Sequence, residues 1–120
     1  MSALRHAAIL AVVCAAALCG AAEARWSGRY GSSPELRGWF EGQHNSRGQW
    51  CCHEGDGHPF YGSYTINPDG SVTLQLRRGT RTLPAYMVLR GPNPTGHAIY
   101  WYRDYGTVRL DYCFAPGTLS

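Results

Sequence analysis

Two adjacent cysteines restrict this chain more than any other feature. Cys51 and Cys52 sit inside Trp50-Cys51-Cys52-His53-Glu54-Gly55-Asp56-Gly57-His58, which gathers two thiols, two histidines and two carboxylates in nine residues. A bond between the two cysteines would span Cα atoms held about 3.8 Å apart by a trans peptide, below the usual ~4.4–6.8 Å. Of the other cysteines, Cys14 and Cys19 lie in an N-terminal segment with the make-up of a secretory leader, which leaves Cys113 as the partner. That bond closes a loop of about sixty residues, for which the chain-entropy model gives ~4 kcal/mol. A domain of this size is expected to be stable by only ~5–10 kcal/mol. A disulfide from Cys113 to Cys52 or Cys51 is therefore the first expectation, with the choice between the two open.

The leader reading rests on three features. Met1-Ser2-Ala3-Leu4-Arg5-His6 is a short basic start, residues 7–22 are uncharged and almost wholly apolar, and Ala22-Glu23-Ala24 supplies a small-x-small cleavage pattern. The apolar run is shorter than the ~20 residues a membrane span needs. Val13 before Cys14 and Leu18 before Cys19 do not fit a lipoprotein signal. The expected division is a signal peptide over 1–24, a flexible leader over 25–32, and a single small disulfide-stapled β domain over 33–120. The expected location is exported, periplasmic or secreted, with no membrane span in the mature chain. Losing Cys14 and Cys19 leaves three cysteines, so one should be free, metal-bound or paired between chains. A domain this small has a thin core and commonly needs a staple, and export permits disulfides.

All eleven basic residues are arginine. Removing residues 1–24 takes away Arg5 and Glu23 and leaves the net charge at +3. That balance is too mild to imply a nucleic-acid partner.

Along the chain, Ser33-Pro34-Glu35 reads as a helix start, with Ser as N-cap, Pro at the first position and an acid in the first turn. Leu36, Trp39 and Phe40 share one face of that short helix, which Gly42 should end. After a loop over 43–57 the period becomes two. Phe60, Gly62, Tyr64 and Ile66 alternate with Tyr61, Ser63 and Thr65, and Val72, Leu74 and Leu76 alternate with polar residues. Asn67-Pro68-Asp69-Gly70 joins these two strands as a tight turn. A third strand is expected over 82–89, pushed to an edge by Pro84. Residues 98–103 and 107–114 form a second hairpin across Asp104-Tyr105-Gly106, with Val108, Leu110, Tyr112 and Phe114 on the core face and Cys113 on the other. The fold class expected is mainly β: a small five-stranded, mostly antiparallel curled or barrel-like sheet with one short N-terminal helix after the signal peptide.

Three features in combination resemble a family of small exported proteobacterial proteins without an assigned activity. They are Cys51-Cys52 with Asp56-Gly57 following, Asn93-Pro94-Thr95-Gly96 leading into an aromatic strand near Trp101, and Cys113-Phe114-Ala115-Pro116. The likeness covers roughly residues 33–116. It implies export and a cysteine framework and supplies no reaction. The resemblance implies Asp straight after the cysteine pair in many relatives and a fourth cysteine near position 57 in some, where this chain has His53 and Gly57.

Within the central stretch, Cys51, Cys52, His53, Asp56 and His58 carry the donors that Zn or Cu takes, although their spacing matches no standard zinc pattern. No other cofactor is expected. A thiol beside a histidine, or the carboxylates Glu54 and Asp56, could serve catalysis, but no nucleophile elbow, phosphate-binding loop or HExxH helix occurs, so no catalytic residue is assigned. Every Phe, Trp and Tyr follows residue 24. Tyr100, Trp101 and Tyr102 must place rings on both faces of their strand. They form a candidate platform for a glycan or another exported protein, unless a second layer such as the helix bearing Trp39 and Phe40 covers them. Arg77, Arg78 and Arg81 either hold an anionic polysaccharide or phosphate, or are ordinary solubilising charges at a hairpin end. The expected function is a non-catalytic binding or interaction module. A periplasmic metal-binding protein is the alternative, and a small secreted enzyme with a Cys/His or carboxylate site comes third.

Overall fold

The short helix α1 (Pro34–Glu41) starts where the sequence signals it: the Ser33 Oγ accepts from the Leu36 N–H, with Pro first and Glu35 in the opening turn. The computed structural model describes Cys19, residues 27–31 and residues 33–118. The rest of the expected leader lies outside the described residues. Helix α1 buries Phe40 and leaves Leu36 and Trp39 half-buried.

Six strands follow: β1 (Gly57–Phe60), β2 (Tyr64–Ile66), β3 (Val72–Leu76), β4 (Gly79–Leu83), β5 (Ala98–Tyr105) and β6 (Val108–Ala115). They form two antiparallel three-stranded sheets, in the orders β1-β5-β6 and β2-β3-β4. The fold is thus mainly β with one short helix, but it is neither five-stranded nor a closed barrel. The difference starts at Gly62. The run 60–66 was expected as one strand, yet it breaks at Tyr61-Gly62-Ser63 and sends its halves into different sheets. The chain passes so closely there that a Cβ on Gly62 would lie 3.0 Å from both the Gln75 carbonyl oxygen and the Phe60 ring.

Further along, β4 ends at Leu83 because Pro84 has no N–H for the ladder, and Ala85–Met87 make a single 3-10 turn instead of the expected strand. The Asn67-Pro68-Asp69-Gly70 turn forms: Gly70 takes φ 89° and donates to the Asn67 carbonyl at 2.9 Å, while the Asp69 carboxylate accepts from Ser71. The second hairpin turns one residue later than expected, on Gly106 and Thr107.

The three layers explain the burial pattern. The outer face of β1-β5-β6 packs against Phe40 and the Cys51-Cys52 segment, and its inner face packs against β2-β3-β4 through Tyr100, Phe114, Val72, Leu74 and Leu83. Central strand β5 is covered on both sides, so Ala98, Ile99, Tyr100 and Trp101 are buried in succession rather than alternately.

A β-bulge corrects the expected facing of β6. Trp101 pairs with Cys113 but Tyr102 pairs with Asp111, so Tyr112 is an extra residue. Beyond it the faces exchange. Cys113 joins Leu110 and Tyr112 on the helix side, and Phe114 turns to the second sheet.

Cys113 meets Cys51 there, with Cα atoms 5.5 Å apart across 62 residues. Replacing Cys113 by Ser should lower the unfolding free energy by ~2–5 kcal/mol, measured by urea titration under non-reducing conditions. A loss under ~1 kcal/mol would mean that layer packing holds the fold without the bridge.

Candidate functional site

The central stretch lies against the helix side of β5 and β6, and its backbone shape decides where each side chain goes. Cys51 donates its N–H to the Gln43 carbonyl at 2.9 Å and points inward to Cys113. Cys52 then adopts φ 80°, the left-handed region that non-glycine residues enter at a cost of about 1–3 kcal/mol. The two side chains part at this point, and Cys52 bonds to Cys19, with Cα atoms 5.4 Å apart. Both cysteines are fully buried. The odd thiol was expected of residues 25–120 alone; in the whole chain Cys19, assigned to the leader on sequence grounds, is the partner of Cys52.

The remaining polar groups of the stretch are each engaged separately. The His53 Nδ1 lies 3.4 Å from a Glu41 carboxylate oxygen at the end of α1, and its ring meets Trp50 edge-on at 4.6 Å. Glu54 is fully buried and accepts from the Ser27 N–H and Oγ, both at 2.5 Å. The Gly57 carbonyl accepts from the Arg29 guanidinium at 2.9 Å and from the Tyr30 hydroxyl at 2.8 Å. Residues 27–30, expected as flexible leader, are thus clasped onto this turn. Tyr30 also lies 4.6 Å from the Phe40 ring. Asp56 is buried and faces Arg103 at 3.5 Å. Gly57 is needed for closeness: a Cβ there would sit 2.9 Å from the Trp101 Nε1.

His58 points to the other side of the sheet, where its ring stacks on Tyr102 at 4.0 Å. Its Nδ1 is buried with no hydrogen-bond partner among the described residues. Burial, and secondarily the charge of Arg29, hold its pKa below the ordinary histidine value, so the ring is neutral near pH 7.

Cys51, Cys52, His53, Asp56 and His58 consequently do not converge as a Zn or Cu site. Both thiols are in disulfides, and the two histidines and Asp56 take different partners. Among the described residues no three His, Cys, Asp or Glu side chains are placed to hold a metal ion. Glu54 and Asp56 likewise face Ser27 and Arg103 rather than a shared opening, so the stretch offers no paired carboxylates for acid–base work.

The expected ring platform is also corrected. Trp101 and Tyr100 are buried, Trp101 beneath Trp39 and Phe40 with both ring centroids 5.8 Å away. Tyr102 is half-buried, stacked on His58, with the Arg109 guanidinium 3.8 Å from its ring centre. The second layer covers what was read as a binding face. Tyr100 also hydrogen-bonds Asp111 and its hydroxyl pKa is raised, mainly by burial.

A different opening lies beside the central stretch. A cavity of about 390 Å³ is lined by Trp50, Tyr86, Met87, Leu110 and Tyr112, with Asn45, Gln49 and Asp111 as polar members and the Cys19–Cys52 bridge in its wall. Its members are fixed in place. Asn45 accepts from the Arg47 and Gln49 N–H groups, the Ser46 N–H donates to the Tyr86 carbonyl, and Arg47 stacks on Tyr86 at 3.8 Å. Sequence reasoning missed Tyr86 and Met87 because it placed them on a strand, although Pro84 just before an aromatic and a methionine signalled a turn. No family model, curated protein or solved structure matches this chain.

The state of His58 gives a pH test. A neutral buried ring resists a proton that the unfolded chain accepts below ~6.5, so stability is full above that pH and falls as pH drops through it. Thermal unfolding between about pH 8 and pH 5 should show this slope, and His58→Gln should flatten it. Equal slopes would contradict the buried neutral assignment.

Proposed function

We propose that this chain is an exported, non-catalytic binding module whose ligand site is the cavity beside the Cys51-Cys52 turn. The observation that carries this reading is the cavity's lining: three aromatic rings, a methionine and a leucine, with the Gln49 amide beside them. Apolar walls with a few convergent polar groups are the usual make-up of a small-ligand site, and about 390 Å³ falls within the usual range. The aromatic surfaces suit the apolar face of a ring and the Gln49 amide suits one of its hydroxyl groups, while Asn45 and Asp111 are held by Arg47, Gln49, Arg81 and Tyr100. A sugar ring of a glycan and a side chain of another exported protein share that chemistry.

Non-catalytic use follows from how the reactive groups of the central stretch are spent: thiols in bridges, Glu54 on Ser27, Asp56 on Arg103. Export is supported by the Cys51–Cys113 disulfide, which reducing cytosol does not maintain, and by the leader-like residues 1–24. No helix among the described residues is long and apolar enough to cross a membrane. The resemblance to small exported proteins with a Cys-Cys pair belongs to the same reading. If the leader is cut after Ala24, Cys19 stays at the cavity wall only through its bond to Cys52.

Thermal unfolding with a panel of monosaccharides and N-acetyltryptophanamide tests the site. One source should raise the melting temperature in a concentration-dependent way. Met87→Trp, which fills the cavity, should remove that rise while the protein stays folded. A rise that survives in the filled variant, or none with either source, would refute the site.

A further inference from the structure

We propose that the far end of the molecule, where the β3–β4 and β5–β6 hairpins come together, carries a second binding groove, for an acidic polysaccharide. Two concavities meet there. One of about 640 Å³ is bordered by Arg77, Arg78, Arg81, Arg109 and Thr107, and one of about 250 Å³ between the sheets is bordered by Gln75, Arg77, Arg109, His58 and Tyr102. They share Leu76, Arg77 and Arg109, so they lie side by side along one edge of the molecule. It has no lining residue in common with the cavity beside Cys52.

The four arginines divide into a braced pair and a free pair. Arg81 grips Asp111 through Nε and Nη2 at 2.8–3.0 Å, and Arg109 grips Asp104 at 2.7 and 3.1 Å while lying 3.8 Å from the Tyr102 ring centre. These carboxylates neutralise two guanidinium charges and fix their direction. Arg77 and Arg78, on the β3–β4 turn, are exposed and have no ion-pair partner among the described residues. Their charges are the surplus of the groove.

Guanidinium forks match carboxylates and sulfates by paired N–H bonds, and charges strung along a groove suit a chain of anions better than one ion. The Gln75 amide and Thr107 hydroxyl add partners for sugar hydroxyls. Single-stranded nucleic acid would need free ring faces for its bases, and Tyr102 is occupied by His58 and Arg109.

The test uses polygalacturonate on the folded protein, with neutral dextran, single-stranded DNA and vesicles of anionic phospholipid as comparisons. Polygalacturonate should bind with an affinity that falls as salt rises, and dextran should not bind. Arg77→Ala with Arg78→Ala, both on an exposed turn, should weaken binding about tenfold or more without changing the melting temperature. Met87→Trp should leave this binding intact, so failure of the cavity and failure of the groove are read separately. No binding, binding unchanged in the double variant, or equal binding of DNA or vesicles would overturn the proposal. A variant with lysine at both positions that binds as tightly as the native chain would also overturn it, since plain ion exchange needs no fork.

Discussion

The bridge between Cys51 and Cys113 ties the loop that follows the helix to the β5–β6 hairpin, and the other arrangements of the molecule depend on it. It fixes the start of the 51–58 stretch against β6, from which β1 enters the sheet at Gly57 only a few residues later. Two local irregularities make the bond geometrically open. The bulge at Tyr112 turns Cys113 toward the helix side, and the positive φ of Cys52 turns the Cys52 side chain away from the bridge. Each is locally costly, and each sits where the cross-link over-determines the backbone.

Local signals were legible wherever short-range chemistry decides structure. The Ser33-Pro34-Glu35 start, the Asn67 to Gly70 turn and the alternation of β3 all form as their residues dictate. What the residues could not show was layering. A chain with one covered sheet face would alternate, so the burial of Ala98 through Trp101 in succession depends on a second sheet, which the break at Gly62 creates. The bulge was equally hidden, because Leu110, Tyr112 and Phe114 keep a perfect alternating pattern in sequence while the ladder slips by one. The candidate site was legible only as a location. Its residues were named correctly as reactive types, but the partners that occupy them, Ser27, Glu41 and Arg103, are remote in sequence.

Spending the reactive groups on structure has a functional consequence. A small domain with three thin layers gains stability from each buried pairing, and the Glu54 and Asp56 contacts hold residues 27–31 and β5 to the same turn. In the function proposed above, recognition falls to two surfaces beside the stretch: an aromatic cavity on the helix side, and an arginine-edged groove at the hairpin end. The two differ in chemistry, one apolar with amides and the other cationic.

Cys19 is where the sequence pattern and the structure meet most directly. A cut after Ala24 and a Cys19–Cys52 bridge can coexist only if residues 1–24 stay attached through that bridge. The Cys51–Cys113 bond is independent of this outcome, and it is the central claim. The direct measurement is disulfide mapping of the non-reduced protein in two variants, Cys51→Ser and Cys52→Ser. The account predicts that Cys52→Ser keeps Cys113 linked to the peptide bearing Cys51, while Cys51→Ser leaves Cys113 open to alkylation once the chain is unfolded. Cys113 linked equally well through Cys52, or free to alkylation in both variants, would contradict it.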